Sequence, residues 1–251
     1  MFAHRGGAKI GPENTLLAFD RGMASGADGL ELDVRLSRDG EVVVMHDATV
    51  DRTTSGNGPV RRYSVDELRR LDAAYWFAAD GSYPLRGHDL GVPRLADVLA
   101  RFPSAALIVE LKENDVELAV RTIDIVRTAG AVGRVAIGSF HARALRAARA
   151  YEPRIPTGSS RGETRVALYA SRLGLAPRWA RYRAFQVPER RHTTRIVSPR
   201  FVKHAHAAGV VVQVWTVDAP DDIQRLLSWG VDAIISDRPD VAVKVVAGVS
   251  G

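Results

Sequence analysis

The 251-residue chain contains no cysteine. Disulfides, thiolate zinc sites, iron–sulfur clusters and cysteine nucleophiles are therefore excluded, and a reducing, cytoplasmic setting suits such a chain. No stretch approaches the roughly 18–20 uninterrupted apolar residues that a membrane span requires, so no integral membrane segment is expected. The opening Met1-Phe2-Ala3-His4-Arg5 lacks a basic region followed by an apolar one, and no signal peptide is expected. Lysine is scarce: only Lys9, Lys112, Lys203 and Lys244 stand among the 35 basic residues. The net charge of +6 rests on thinly spread arginines. It lacks the dense or aromatic-interleaved basic runs of a nucleic-acid footprint, and no nucleic-acid partner is expected. The chain is otherwise ordinary for a packed protein, with 46% hydrophobic and 25% charged residues. Its chemistry must come from histidines, carboxylates, hydroxyls or a metal.

Apolar, β-branched runs alternate with helical patterns. The strand candidates are residues 2–4, 29–34, 41–46, 106–112, 135–140, 155–158, 184–187, 210–216 and 233–237. Helical spacing of apolar residues runs over 13–25, 115–129, 142–151, 199–208 and 219–230, with Gly26, Gly209 and Gly230 at expected stops. Nine strands exceed an eight-stranded barrel, but one connection resolves the count. Only six residues, 35–40, join the second and third candidates, whereas a parallel crossover needs a dozen or more. That link is a hairpin turning near Asp39-Gly40. Eight parallel candidates remain, and the expected fold is a (β/α)8 TIM barrel. Residues 47–94 break the rhythm with a turn-rich run and a capped helix beginning at Ser64. The reading is one domain over 1–251, with 47–94 as an insertion at the catalytic mouth.

Polar residues at strand ends concentrate the chemistry. Glu31 and Asp33 lie two apart on one strand and share its inner face. Alone, such a pair reads as ion-paired to arginines. Glu110 and Lys112 repeat the pattern on the next parallel strand. Three carboxylates at neighbouring strand ends supply a hard oxygen site for Mg²⁺ or Ca²⁺, with Lys112 suited to a phosphate oxygen. If the hairpin centres near 39–40, cross-strand numbers sum to 78 or 79, which returns His46 level with this cluster. His4 ends the first strand at the same rim, making the two histidines an acid–base pair. Arg5 opens a Gly-Gly loop and suits a phosphate clamp, while Glu13 and Asn14 read equally as helix caps.

Nine ordered motifs then accumulate: His4-Arg5-Gly6, Pro12-Glu13-Asn14-Thr15, Glu31-Leu32-Asp33-Val34, His46-Asp47, Arg52-Thr53-Thr54, Glu110-Leu111-Lys112, Ser139-Phe140, Val214-Trp215-Thr216-Val217 and Ser236-Asp237-Arg238-Pro239. Together they resemble the glycerophosphodiester phosphodiesterase family over nearly the whole chain. The departure is Ser236, where the family often has threonine, and residues 161–195 carry no family motif. The resemblance implies hydrolysis of a small glycerophosphodiester to glycerol 3-phosphate and an alcohol with one divalent ion, Mg²⁺, Ca²⁺ or Mn²⁺. It implies Glu31, Asp33 and Glu110 as metal ligands and His4 and His46 as the acid–base pair. Arg5 and Lys112 would bind phosphate, Trp215 would wall the glycerol, Phe140 would line the pocket, and Glu13 would orient its neighbours.

The sequence does not divide the acid and base roles between the histidines. Nor does it choose between water and the substrate's own 2-hydroxyl as attacker, or set the oligomeric state. Two other readings stay open: a lysophospholipase D-type phosphodiesterase using a Trp76-Phe77 rim, and a non-catalytic phospho-polyol binding protein.

Overall fold

A computed structural model describes residues 1–79, 81–175 and 180–249. In chain order the elements are β1 (Phe2–His4), α1 (Leu16–Ala24), β2 (Gly29–Leu36), β3 (Val42–Val44), α2 (Val65–Arg70), α3 (Leu95–Arg101), β4 (Ala106–Leu111) and α4 (Val116–Thr128). Then follow β5 (Val135–Gly138), α5 (Ala142–Tyr151), α6 (Arg161–Arg172), β6 (Ala184–Pro188), β7 (Arg190–Arg191), β8 (Thr194–Arg195) and α7 (Pro199–Ala207). The chain ends through β9 (Val211–Trp215), α8 (Pro220–Ser228), β10 (Ala233–Ser236) and α9 (Pro239–Val249).

Seven of these strands run parallel in the order β5-β4-β2-β1-β10-β9-β6, forming a nearly closed barrel with helices between them. The expected eighth strand at 155–158 is not a strand. It enters the gap between β5 and β6 through two isolated parallel bridges, Ile137 to Thr157 and Gly158 to Ala184. Pro156 has no N–H to extend a ladder, although its carbonyl accepts from Ile137 N at 2.9 Å. The segment thus acts as a short eighth stave.

β3 runs antiparallel to β2, pairing Val34 with Val44, Arg35 with Val43 and Leu36 with Val42. Each pair sums to 78. Gly40 takes the left-handed conformation (φ 81°) that the tight turn requires. The ladder stops at Val44, short of the expected strand end at residue 46, and Met45 N still donates to the Asp33 carbonyl at 2.9 Å.

Side-chain alternation divides each barrel strand between two environments. Leu30, Leu32 and Val34 on β2 and Leu107, Val109 and Leu111 on β4 join the apolar layer beneath the helices, where they meet Leu118, Ile123 and Val126 of α4. Glu31, Asp33 and Glu110 take the alternate positions. Burying each large aliphatic side chain in that layer stabilises the fold by about 1.5–3 kcal/mol. Within the excursion formed by β3 and the insertion that follows it, Val43, Met45, Val50, Val60, Leu68, Ala73 and Val92 form a second, smaller apolar centre. Residue 80 of the expected 47–94 insertion lies outside the described residues.

α1 begins later than expected, at Leu16 instead of residue 13. Asn14 adopts φ 58°, which breaks the helix, and Thr15 caps it by accepting from Ala18 N. The loop before it is held close to α1 by Gly6. At φ 85°, a Cβ on Gly6 would lie 2.6 Å from the Ala18 carbonyl carbon. Gly6→Ala is expected to destabilise the protein by about 1–3 kcal/mol, read as a lower urea midpoint at unchanged slope.

Candidate active site

The carboxyl ends of the strands surround a cavity of about 140 Å³. Among the sequence-predicted residues, His4, Arg5, Glu31, His46, Glu110, Lys112, Phe140 and Trp215 all line it. Asp33 lies just behind, only 1% exposed. Glu13 lines two neighbouring concavities and reaches the cavity through Arg5.

Adjacent strands set the acidic cluster. Asp33 on β2 stands in register with Glu110 on β4, while His4 on β1 pairs with Glu31. Carboxylate oxygens of Glu31, Asp33 and Glu110 lie within 4.8 Å of one another. Such crowding demands positive charge or protons. Lys112 Nζ supplies part of it, 3.0 Å from Glu110 Oε1 and 3.3 Å from Asp33 Oδ1. Arg5 Nε lies 3.2 Å from Asp33 Oδ2 but is not aligned to hydrogen-bond, so this buried N–H lacks an acceptor among the described residues. Asn14 Nδ2 donates to Asp33 Oδ2 at 2.9 Å, which is what the left-handed backbone at Asn14 makes possible.

These contacts divide the acids. Burial raises Asp33, but Lys112 and then Arg5 outweigh it and hold its carboxyl below the usual range. Glu31 has no comparable compensation; burial, then Asp33 beside it, pushes it up to about 8. Glu110 is also raised, chiefly by burial, despite Lys112. The cluster therefore keeps a proton at neutral pH in the absence of a cation.

Each histidine is clasped by a carboxylate that sequence reasoning left without a role. His4 Nδ1 and Asp237 Oδ1 are 2.6 Å apart, leaving Nε2 3.8 Å from Glu31 Oε2. His46 Nδ1 and Asp47 Oδ1 are likewise 2.6 Å apart. Burial lowers the basicity of both rings. At His4 the Asp237 hydrogen bond and the Glu31 charge reverse that effect, so its pKa rises; at His46 burial prevails, so its pKa falls. Asp47 also accepts from Arg52 Nε at 2.6 Å, and Arg52 grips Glu13 at 2.7 and 2.8 Å. Glu13 in turn accepts from Arg5 at 2.9 Å. One ion chain thus ties the Arg5 loop to the His46 hairpin. Both aspartates stand in the motifs read from the sequence, His46-Asp47 and Ser236-Asp237-Arg238-Pro239, but nothing in the sequence pairs either with a histidine ring.

Phe140 and Trp215 pack against each other on the cavity wall, with ring centroids 5.8 Å apart. The Arg161 guanidinium, from the region without family motifs, stacks over Phe140 at 4.5 Å.

A barrel whose mouth gathers three carboxylates, two clasped histidines and two cations defines a hydrolase suited to anionic esters. The chain matches the model of the glycerophosphoryl diester phosphodiesterase family over residues 4–241 and belongs to that family. It is 33% identical to a glycerophosphodiester phosphodiesterase of Caldanaerobacter subterraneus, across 98% of this chain and 97% of the relative. A Bacillus altitudinis glycerophosphodiester phosphodiesterase is 32% identical, with 98% and 97% covered. Among solved structures, the glycerophosphoryl diester phosphodiesterase domain of a Mycobacterium tuberculosis protein superposes with a TM-score of 0.84 at 26% identity, covering 98% of each chain. An Oleispira antarctica phosphodiesterase in complex with its product sn-glycerol-3-phosphate gives a TM-score of 0.76 at 26% identity, with 98% and 96% covered.

Proposed function

We propose that this chain hydrolyses small glycerophosphodiesters to glycerol 3-phosphate and an alcohol, with one divalent ion held by Glu31, Asp33 and Glu110. The observation that carries the reading is the convergence of those three carboxylates, Glu31 and Asp33 buried and Glu110 half-buried, with His4 and His46 on one cavity. The donor set fits a hard cation. It is all oxygen, two of its three carboxylates are buried, and its unneutralised charge otherwise has to be met by a proton on Glu31. A cation bound there supplies charge neutralisation at the phosphoryl oxygens.

The remaining work falls to the chain's own side chains. Arg5 and Lys112 bind and orient the phosphodiester. One histidine takes the proton of the attacking oxygen, and the other protonates the departing alkoxide. Asp237 and Asp47 hold each ring by accepting from Nδ1–H, which leaves Nε2 as the atom that takes up or gives off the transferred proton. Trp215 and Phe140 wall the glycerol, and Glu13 holds Arg5 in place. We read residues 1–251 as one domain, supported by an apolar layer that includes both Met1 and Ala242, with 47–94 inserted at the mouth.

The test is glycerol 3-phosphate release from glycerophosphocholine and glycerophosphoethanolamine. EDTA-stripped protein should be inactive and regain turnover with Mg²⁺, Ca²⁺ or Mn²⁺. Silence with every ion would turn the reading to phospho-polyol binding without catalysis. One observation favours a second substrate class: Trp76, 48% exposed, and Phe77 line a neighbouring cleft of about 360 Å³. Faster turnover of lysophosphatidylcholine than of glycerophosphocholine would assign that cleft to an acyl chain. Among the described residues, no helix is long and apolar enough to cross a membrane.

A further inference from the structure

The end of the barrel opposite the mouth holds a further concavity. Its walls are the last turns of α5, the loop entering the eighth stave, and the segment just before β6. The cleft measures about 670 Å³ and is lined by five arginines: Arg146, Arg149, Arg154, Arg181 and Arg183. Among the described residues, no carboxylate and no aromatic ring lines it.

Two of the five already have partners. Arg149 donates to Glu163 at 2.7 and 3.2 Å, to Thr157 Oγ1 at 2.8 Å and to the Gly158 carbonyl at 3.0 Å. Arg154 is held by both oxygens of Glu152, at 2.8 and 2.7 Å. The guanidinium groups of Arg146, Arg181 and Arg183 have neither hydrogen bond nor carboxylate partner among the described residues. Three uncompensated cations around one hollow repel each other, a cost that an anion bound between them removes.

We propose that this cleft binds a small anion carrying two or more phosphoryl groups, such as pyrophosphate or tripolyphosphate. Guanidinium forks match phosphoryl oxygens bidentately, and three of them, Arg146 on α5 and Arg181 and Arg183 on the segment before β6, exceed what a single phosphate satisfies. The hollow is concave and, among the described residues, offers no stacking ring of the kind on which single-stranded nucleic acid is held, which favours a compact ligand. The site is independent of the phosphodiesterase reading, because it shares no residue with the mouth.

Calorimetry with tripolyphosphate in EDTA tests the proposal. The wild type should bind it, and Lys112→Ala, altered only at the mouth, should retain that binding. Arg146→Ser/Arg181→Ser/Arg183→Ser should raise Kd at least ~10-fold, and Arg181→Gln alone ~3-fold. Both variants should keep wild-type phosphodiesterase turnover and a melting temperature no lower than the wild type's, since these side chains hold no internal ion pair. Unchanged affinity in the triple variant would overturn the site. So would loss of binding in Lys112→Ala, a fall in melting temperature marking the arginines as structural, or tighter binding of a single-stranded oligonucleotide than of tripolyphosphate at equal ionic strength.

Discussion

His4→Ala and His46→Ala are each expected to lose at least ~10²-fold in turnover of a glycerophosphodiester, the low end for removing a general acid or base. Both rings reach the cavity at fixed angles, each clasped at Nδ1 by a carboxylate 2.6 Å away. The loss should therefore fall on kcat more than on KM, because phosphate binding is assigned to Arg5 and Lys112. The positioning carboxylates give a graded version of the same experiment. Asp237→Asn preserves the shape of the side chain but removes the charge that favours one tautomer, and it should lower kcat with little change in KM. Wild-type kcat in either alanine variant would remove that histidine from the chemistry.

The second large effect is a pH-dependent gain in stability on adding a divalent ion. Glu31 stands at about 8 in the folded protein without a cation, well above the ordinary 4.5. Between those two values the unfolded chain releases the proton and the folded chain keeps it. Apoprotein stability from this group is therefore full below the unfolded pKa and lost as pH rises through the folded one. Glu110 is shifted in the same direction, whereas Asp33, held low, contributes oppositely at acid pH. A cation takes the place of the Glu31 proton. Its apparent affinity should climb by up to ~10-fold per pH unit between 5 and 8 and then level off. Thermal melts with and without Mg²⁺ or Ca²⁺ across that range measure it, and Glu31→Gln should abolish the climb. A metal-induced shift in melting temperature that is flat with pH would remove Glu31 from the ligand set.

Much of this arrangement was legible because strand geometry is arithmetic. Period-two alternation alone put Glu31 and Asp33 on one face, and a six-residue link admitted only a hairpin. The observed pairs sum to 78, as a turn near Asp39-Gly40 requires. What escaped the sequence depended on closure in space. Asp237 meets His4 across 233 positions, because β1 lies beside β10. Asn14 reads as a cap until its left-handed backbone aims the amide at Asp33. The eighth stave resembles a strand in composition, yet Pro156 limits it to isolated bridges. The basic cleft is drawn from three separate segments, none of them unusual alone.

The second apolar centre has a consequence for how such a chain can change over generations. Val50, Val60 and Leu68 are buried among their own neighbours in the excursion, apart from the layer under the barrel helices. Substitutions around Ala73, Trp76 and Phe77 can reshape the rim beside Glu13 and Arg52 while the carboxylate-bearing strands keep their register. The chemistry is anchored where the packing tolerates least. On the proposed reading of the Trp76-Phe77 cleft, exposed positions of that rim can change the leaving group a descendant accepts while the strands that hold the carboxylates stay as they are.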